Sequence, residues 1–291
     1  MKMKRKMRIM KTVMMVVLIV AAVIAFGAGP ASAEIKFGTL PRLSAPELQA
    51  MYSPLAEYLS RETGEKVTIV VPKDFNAFKD AVKAGQMDVG FANPLIYVQS
   101  KEKSNIELLA LSSEVKSGTR FRGIIIVRKD SGFNKVEDLK GKKFVFMDHD
   151  SAAGYIFQML LLSKAGFDVN KDITMLPFAK KHEKVTTAVF DKTADAGGIR
   201  EDELDKMKDK LDISQIRIVG YTDYFPNWPF FATSKLKPEM ASKIRAALLK
   251  LKPNDTQNEK ILGPARLTGF IPVTDKEYDE LRKAAKVAGA L

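Results

Sequence analysis

The chain has 291 residues, two histidines, no cysteine and a formal net charge of +12. Without cysteine it can form no disulfide and can carry no lipid-modified cysteine or thiol nucleophile, so its stability depends on a packed core. Residues 1–33 hold six of the 47 Lys and Arg and none of the 35 Asp and Glu, so the net charge from Glu34 onward is +6. This surplus suits an anionic ligand. The lysines are dispersed, however, and no basic–aromatic motif predicts a nucleic-acid partner.

The N-terminus has the three parts of a secretory signal peptide. Basic residues up to Lys11 precede an apolar or small run over 12–27, and an Ala31-Ser32-Ala33 cleavage sequence follows. The run is shorter than the roughly 20 apolar residues that a membrane span needs. We therefore predict a signal peptide over 1–33, cut after Ala33, and export of 34–291 to the periplasm. An uncleaved membrane anchor is the alternative.

Apolar runs of strand length alternate with helical patterns along the first half of the chain. In order, they are strand EIKFGTL, helix PELQAMYSPLAEYLSRETG ending at a Gly64 cap, strand KVTIVVP, helix DFNAFKDAVKAGQ with Asp74 as N-cap, strand MDVGFANP, helix LIYVQSKEK, and strands ELLALSSEV and FRGIIIVRKD. Capping residues and final glycines mark the helix ends. Such alternation predicts βαβ units and a mainly parallel sheet.

A second set of elements begins near Lys135. It comprises strand VEDLKGKKFVFM, a helix after Ser151, ITMLPFA, a helix from about His182, DAGGI, helix EDELDKMKDKL and IRIVGY; after YFPNWPFFATSKL come helices KPEMASKIRAALLKL and DKEYDELRKAAKVAG. We interpret this order as two α/β lobes with crossings near IIIVRKDSG and YTDYFPNWPFF. The predicted lobes are 34–124 plus 228–291, and 125–227. A ligand would bind in the cleft between them and be enclosed by hinge closure.

The segment FVFMDHDSAAGY, residues 144–155, is the most informative single stretch. It reads as a strand, a turn with the capping residue Ser151, and the start of a buried helix. Free backbone N–H groups at such a helix N-terminus form a ready site for an anion. An ordinary capped helix in an α/β sheet would have the same pattern.

No arrangement in the sequence indicates catalysis. The two histidines, His149 and His182, lie on separate segments without metal-ligand spacing. Ser151 stands in D-S-A-A-G rather than in a G-x-S-x-G elbow, and there is no G-x-G-x-x-G or phosphate-binding loop. We therefore predict a binding protein, not an enzyme, with no catalytic residue, no metal site and no cofactor.

Four stretches give the chain a specific resemblance. They are GTLPRLSAPELQAMYSPLAEYLSRETG, DFNAFKDAVKAGQMDVGFANPLIY, IIIVRKDSGFNKVEDLKGKKFVFMDHDSAAGY and HEKVTTAVFDKTADAGGIREDEL. In order and spacing the chain resembles the periplasmic phosphate/phosphite/phosphonate-binding proteins of ABC importers over nearly all of 34–291. The resemblance implies the two-lobed periplasmic-binding fold of type II. It also implies a monomer that captures a small anionic ligand and delivers it to an ABC permease in the inner membrane.

The resemblance also implies where the ligand binds. In phosphonate-binding relatives, hydroxyl residues at the helix N-terminus hold the oxyanion, and the corresponding positions here are Ser151, Ala152 and Ala153. His182 matches the family's histidine, Trp228 stands at an acidic position, and Ala92 replaces an expected tyrosine. The candidate ligand-binding residues are Ser44, Asn93, Ser151, Ala152, Ala153, His182, Arg200, Tyr224 and Trp228.

Each candidate also has a purely structural interpretation. Ser151 could only cap its helix, His182 could form a cleft wall, Trp228 could pack in the core, Arg200 could pair with Glu201 or Asp202, and Asn93 could start the turn before Pro94. The lost hydroxyls and the gained tryptophan predict a less polar pocket, and hence a ligand with an anionic end and an apolar or aromatic body. A periplasmic sensory protein that acts on a membrane kinase or chemoreceptor is the alternative to an import component.

Overall fold

The computed structural model describes Met3 and residues 34–291. The predicted signal peptide and its cleavage sequence therefore lie outside the described residues, apart from Met3. All of the elements below belong to the unit formed by residues 35–291. In the part of the chain that is described, no helix has both the length and the apolar character needed to cross a membrane.

Residues 35–291 form thirteen strands and nine α-helices. The strands are β1 Ile35–Thr39, β2 Val67–Val70, β3 Val89–Phe91, β4 Ile106–Glu114, β5 Arg120–Phe121, β6 Gly123–Arg128, β7 Lys143–Phe146, β8 Thr174–Met175, β9 Ala196–Arg200, β10 Ile216–Tyr221, β11 Phe225–Pro226, β12 Pro229–Thr233 and β13 Leu267–Ile271. The helices are α1 Ala45–Thr63, α2 Phe75–Lys83, α3 Pro94–Lys103, α4 Phe157–Lys164, α5 His182–Phe190, α6 Glu201–Asp205, α7 Pro238–Lys250, α8 Glu259–Leu262 and α9 Asp279–Val287. A π-helical turn, Ala152–Ile156, leads into α4.

The strands build two larger sheets and one small one. The first sheet has the order β13-β4-β12-β3-β1-β2, the second has the order β10-β6-β9-β7-β8, and β5 pairs with β11. In the first sheet β1 is parallel to β2 and β3, but β12 runs against β3 and β4, and β13 runs against β4. In the second sheet β7 is parallel to β8 and β9, whereas β6 runs against β9 and β10.

Both large sheets are therefore mixed, and the prediction of a mainly parallel sheet is wrong. Helical crossovers force parallel pairing only on the strands that they connect. Strands β6 and β12 each enter their sheet from a passage between the two sheets, with no crossover helix before them. Nothing constrains these two strands to run parallel to their neighbours.

The two passages between the sheets lie side by side. The chain leaves the first sheet through β5 and returns to it through β11, and these strands pair antiparallel with Phe121 opposite Phe225. Phe225 stacks on Phe157 of α4, with ring centroids 3.9 Å apart. The strands of the first sheet fall within 35–114 and 229–271, and those of the second within 123–221. The residues assigned to each lobe remain a prediction.

Local signals set three helix ends, two of which, at Gly64 and Asp74, the sequence predicted. Gly64 ends α1 with a φ of 77°, Asp74 accepts a 2.7 Å hydrogen bond from the Ala77 N–H at the start of α2, and Asn93 accepts one of 3.0 Å from Ile96 at the start of α3. The predicted helix EDELDKMKDKL is confirmed only as far as Asp205. Its remainder buries one side chain, that of Met207, which is too little packing to sustain a helix.

Candidate ligand-binding site

The sequence candidates occupy four places in the structure. Asn93, Ser151, Ala152, Ala153 and His182 lie around the π-helical turn; Arg200 and Trp228 line one cavity; Tyr224 lines a second cavity; and Ser44 begins α1. The structure thus brings five candidates together at the turn and two at one cavity. Tyr224 and Ser44 lie apart from both groups.

The turn at Ser151 is buried, and the Ser151 and Asn93 side chains form hydrogen bonds with the backbone around it. Ser151 is 7% exposed, and its Oγ accepts a 3.1 Å hydrogen bond from the Gly154 N–H. Across the turn, the Asn93 Nδ2 donates to the carbonyl oxygen of Asp150 at 3.1 Å. Ala152 and Ala153 are buried as well. In this arrangement Ser151 and Asn93 act as caps, and α3 of the first sheet covers the helix start of the second.

Asp150, which precedes the turn, is held by side chains from the first sheet's helices. Its carboxylate accepts hydrogen bonds from Lys79 Nζ of α2 at 2.8 Å and from Gln99 Nε2 of α3 at 3.2 Å. Burial acts to raise the pKa of Asp150, but the hydrogen bond and charge of Lys79, with help from Gln99 and His149, lower it below its usual value. These contacts tie the two sheets together beside Ser151.

His182 begins α5 close to the same turn. Burial lowers its pKa to about 4, so the imidazole is neutral near pH 7. Its Nδ1 lies 3.4 Å from the backbone nitrogen of Arg200, from which it accepts a hydrogen bond. A Cβ on Gly154 would come within 2.9 Å of the His182 Cε1, so this glycine allows the ring its close approach. The imidazole can offer a neutral donor to a ligand but not a positive charge.

Arg200, at the end of β9, is saturated by carboxylates. Its guanidinium hydrogen-bonds Glu114, donates to Ser117 Oγ at 2.9 Å and to Asp202 Oδ1 at 2.5 Å, and lies 4.5 Å from the centroid of the Phe121 ring. The sequence left open an ion pair with Asp202, and the structure contains it.

Trp228 is the end of a row of three aromatic rings and lies beside the Arg42 guanidinium. The Trp228 and Phe91 ring centroids are 5.5 Å apart, and those of Phe91 and Tyr52 are 5.8 Å apart. The Arg42 Cζ lies 5.4 Å from the centroid of the Trp228 ring, which is within the range of a cation–π contact. All four side chains line a cavity of about 130 Å³. Arg200 and Asp202 face this wall from the second sheet's side.

Two arginines of this cavity were missed from the sequence. Arg42 and Arg266 line it, and among the described residues neither forms an ion pair with a carboxylate. Arg42 stands in the loop between β1 and α1, and loops at the carboxyl ends of such strands are where α/β sheets bind ligands. That position was the available signal. Arg266 carries no comparable mark, because it lies between a short 3₁₀ turn and a strand that the sequence did not predict.

The other two candidates stand apart from the Trp228 cavity. Tyr224 is 49% exposed and packs on the Arg122 guanidinium, 4.7 Å from its ring centroid, in a separate cavity of about 580 Å³. Ser44 is exposed and donates both its N–H and its Oγ–H to Glu47, at 2.9 and 2.6 Å. Within the described residues no group of three or more His, Asp and Glu side chains is placed to hold a metal ion.

The chain matches known proteins over most of its length. The family model described as "ABC transporter, phosphonate, periplasmic substrate-binding protein" covers residues 37–278. The phosphate-import protein PhnD of Mycolicibacterium smegmatis is 27% identical over 278 aligned residues, covering 88% of this chain and 86% of that protein. The tetrathionate sensor histidine kinase TtrS of Salmonella typhimurium is 22% identical over 227 residues, covering 72% of this chain but only 38% of the kinase.

Solved structures show the same fold. PhnD1 from Prochlorococcus marinus, in complex with methylphosphonate, matches with a TM-score of 0.74 and 17% identity, over 89% of this chain and 99% of that one. A phosphonate-transporter binding protein from Pseudomonas aeruginosa matches with a TM-score of 0.71 and 18% identity, over 89% and 87% of the two chains. The predicted two-lobed α/β fold is confirmed. The chain therefore belongs to the family of periplasmic substrate-binding proteins of phosphonate ABC transporters.

Proposed function

We propose that this protein captures a small anionic solute in the cleft between its two sheets and delivers it to an inner-membrane ABC permease, without chemical turnover. The observation that carries the proposal is the Trp228 cavity. Its walls come from both sheets: Arg42 and Trp228 belong to the first sheet's part of the chain, and Arg200 belongs to the second's. A solute in this cavity would contact both parts at once, which is the requirement for ligand-driven closure.

The charges of the cavity favour an anion. Its lining includes five basic side chains and three acidic ones, namely Arg42, Lys116, Arg200, Lys206 and Arg266 against Glu114, Asp202 and Glu203. A concave site with a surplus of one sign concentrates ligands of the opposite sign. The volume of about 130 Å³ lies below the 300–1,000 Å³ of sites for drug-sized ligands. Both properties support a small organic or inorganic anion.

Hinge closure has a structural counterpart in the two passages. The paired strands β5 and β11 are two residues long each, and they join the two large sheets. Short paired crossings can absorb the backbone rotation of a hinge. We propose that the lobes 34–124 plus 228–291 and 125–227 rotate about these strands as the ligand binds.

The proposed setting is the periplasm. The family is periplasmic, and residues 1–33 have the pattern of a leader that would be cut after Ala33. The named import function of the Mycolicibacterium smegmatis relative supports transport as the purpose of binding. We propose a monomer that exchanges between its free and permease-bound forms.

Thermal unfolding of residues 34–291 with a panel of anions tests the proposal. The panel holds phosphate, phosphite, methylphosphonate, sulfate, acetate and aromatic acids, with neutral sugars as controls. A true ligand at 100 times its Kd adds about 2.7 kcal/mol to the free energy of unfolding and raises Tm by a few degrees. Trp228→Ala should abolish that shift and should be checked for native circular dichroism. A panel in which no anion raises Tm would contradict the proposal.

A sensory role is the second candidate, and one observation favours it. The sensor kinase TtrS matches 72% of this chain, so the same fold serves as part of a signalling protein. A deletion strain separates the two roles. Loss of uptake of the bound solute indicates transport, whereas intact uptake with loss of a solute-dependent transcriptional response indicates sensing.

A further inference from the structure

The geometry points to Arg42 and Arg266 as the pair that receives the anionic group of the ligand, with the ligand's apolar body lying along Trp228 and Phe91. The inference rests on the proposed function, because it names the ligand class of the same cleft. The class is a small organic acid, a carboxylate or a phosphonate, that carries an aromatic or apolar substituent.

The turn at Ser151 is poorly placed to receive that anion here. Ala152 and Ala153 offer no hydroxyl, so Ser151, whose Oγ accepts from the Gly154 N–H, supplies the one side-chain hydroxyl among these three residues. All three residues are buried, and none of them lines the Trp228 cavity. An anion at this turn would also lie beside the Asp150 carboxylate, which Lys79 and Gln99 hold in place.

Arg200 is a poor receptor because carboxylates already occupy its guanidinium. It lines the cavity, but Glu114 and Asp202 both bind its guanidinium, and Ser117 accepts a further hydrogen bond. A ligand anion would have to displace a carboxylate or approach it closely, and like charges at such distances repel. Arg200 therefore stabilises the wall.

Arg42 and Arg266 have the opposite properties. Neither has a carboxylate partner among the described residues. Arg42 donates one guanidinium N–H to the Met51 Sδ at 3.4 Å, which leaves its other N–H donors for a ligand. Arg42 is steadied by Trp228 at 5.4 Å and by a backbone hydrogen bond from its N–H to Leu40 at 2.8 Å.

The loop that carries Arg266 is fixed by its backbone. Arg266 has a φ of 57°, donates its N–H to Gly263 at 2.8 Å and accepts from Val115 at 3.1 Å. This left-handed conformation ends the short 3₁₀ turn Gly263–Ala265, as left-handed caps commonly do. The two guanidinium groups thus come from two fixed loops at one cavity.

The chemistry of the walls defines the ligand. The planar donor fork of arginine matches the two oxygens of a carboxylate or phosphonate. The row of Trp228, Phe91 and Tyr52 presents apolar faces that favour an aromatic or aliphatic body over a hydrated ion. Free phosphate would meet the arginines but would leave this wall unused.

A two-by-two set of probes tests the inference by isothermal titration calorimetry. Benzoate and phenylphosphonate carry the apolar body, and acetate and methylphosphonate do not. Arg42→Gln and Arg266→Gln remove one guanidinium each. Arg61→Gln, an exposed arginine of α1 outside the cavity, is the matched control, and Ser151→Ala tests the competing site. Circular dichroism and Tm establish that each variant is folded.

We expect a phenyl probe to bind the wild type more tightly than its methyl counterpart. Each cavity arginine variant should then raise Kd by about ten- to a hundredfold, since each loses a charge-assisted hydrogen bond, and Arg61→Gln should match the wild type. The inference is overturned if methylphosphonate or acetate binds as tightly as its phenyl partner. It is also overturned if Ser151→Ala abolishes binding while both arginine variants bind normally; the proposed function would survive either result. A wild type that binds none of the probes or of the broader anion panel overturns both.

Discussion

At the scale of single residues, a positive charge alone does not make a side chain an anion receptor. What matters is whether its donors are already bound to carboxylates. Arg200 and Arg42 line the same cavity, yet the first is bound to two carboxylates and the second to none. The same reasoning applies to His182, whose position in the sequence suggested a ligand contact. A neutral imidazole that accepts a backbone N–H has a different role from an imidazolium.

The burial of His182 predicts a pH dependence of stability. Its folded pKa of about 4 lies below the ordinary value of 6.5, so the unfolded chain binds more protons between those pH values. The contribution is fully present above pH 6.5 and is lost as the pH falls toward 4, with a slope of at most about 1.4 kcal/mol per pH unit. Urea unfolding of the wild type and of His182→Gln at pH 7, 6, 5 and 4 measures the slope. The variant should lose less stability over this window, and parallel curves would contradict the assignment.

At the scale of elements, the turn before α4 is held by one buried amide. The Gln158 Nε2 lies 3.2 Å from the carbonyl oxygen of Ile124 in β6, 3.0 Å from that of Ile199 in β9, and 2.7 Å from that of Ala153. Gln158 is fully buried. It thus joins two strands of the second sheet to the π-helical turn.

We expect Gln158→Ala to lower the free energy of unfolding by about 2–4 kcal/mol, because it leaves buried carbonyls unpaired and opens a cavity. Gln49→Ala is the matched control, since Gln49 is exposed and makes a single 3.1 Å bond to the Ile69 carbonyl. It should cost less than about 1 kcal/mol. Chemical denaturation measures the free energy of unfolding of both variants. Equal losses would show that the three contacts of Gln158 do not stabilise the fold more than the single contact of Gln49.

The contacts of Asp150 predict a second loss of stability. Asp150→Asn should destabilise the fold by about 1.5–3 kcal/mol, because Lys79 and Gln99 lose hydrogen bonds to a partly buried charge. Glu239→Gln, which breaks the exposed ion pair with Lys243 on α7, should change stability by less than about 0.5 kcal/mol. Thermal and urea unfolding compare the two variants. If Asp150→Asn leaves stability unchanged, the contacts of Asp150 with Lys79 and Gln99 do not stabilise the fold.

How far the elements could be predicted depends on whether their signals are local. The caps at Asp74 and Gly64 were found because the residues that form them lie within a few positions of the helix end. The directions of β6 and β12 were not, since they are set by neighbours far away in sequence. Strand β13 was missed altogether.

The same limit applies to the candidate site. Trp228 and Arg200 were chosen from sequence, and the structure places both at one cavity. Which arginines keep free donors depends on distances to carboxylates such as Glu114, which is 86 residues from Arg200 along the chain. Pattern alone could not separate Arg42 from Arg200.

At the scale of the whole molecule, the two sheets meet along buried surface as well as through the strands β5 and β11. One apolar cluster contains Tyr97 and Phe231 from the first sheet's side and Phe144 and Phe157 from the second's. Outside this cluster, hydrogen bonds from Ser44 and the nearby charge of Lys181 lower the pKa of Glu47. The proposed rotation of the lobes about β5 and β11 would act across these contacts.

The absence of cysteine permits a direct test of that rotation. Spin labels on Leu43→Cys, next to Arg42, and on Lys184→Cys of α5, both exposed positions, report the distance between the lobes by double electron–electron resonance. Binding of the solute should shorten the mean distance and narrow its distribution, because the ligand bridges both walls of the cavity. The pair Leu43→Cys and Lys243→Cys, both on the first sheet's side, should not change. A distance between the labels at residues 43 and 184 that is unaffected by a ligand known to raise Tm would show that the protein binds without closing, and a permease could not distinguish its loaded form by lobe position.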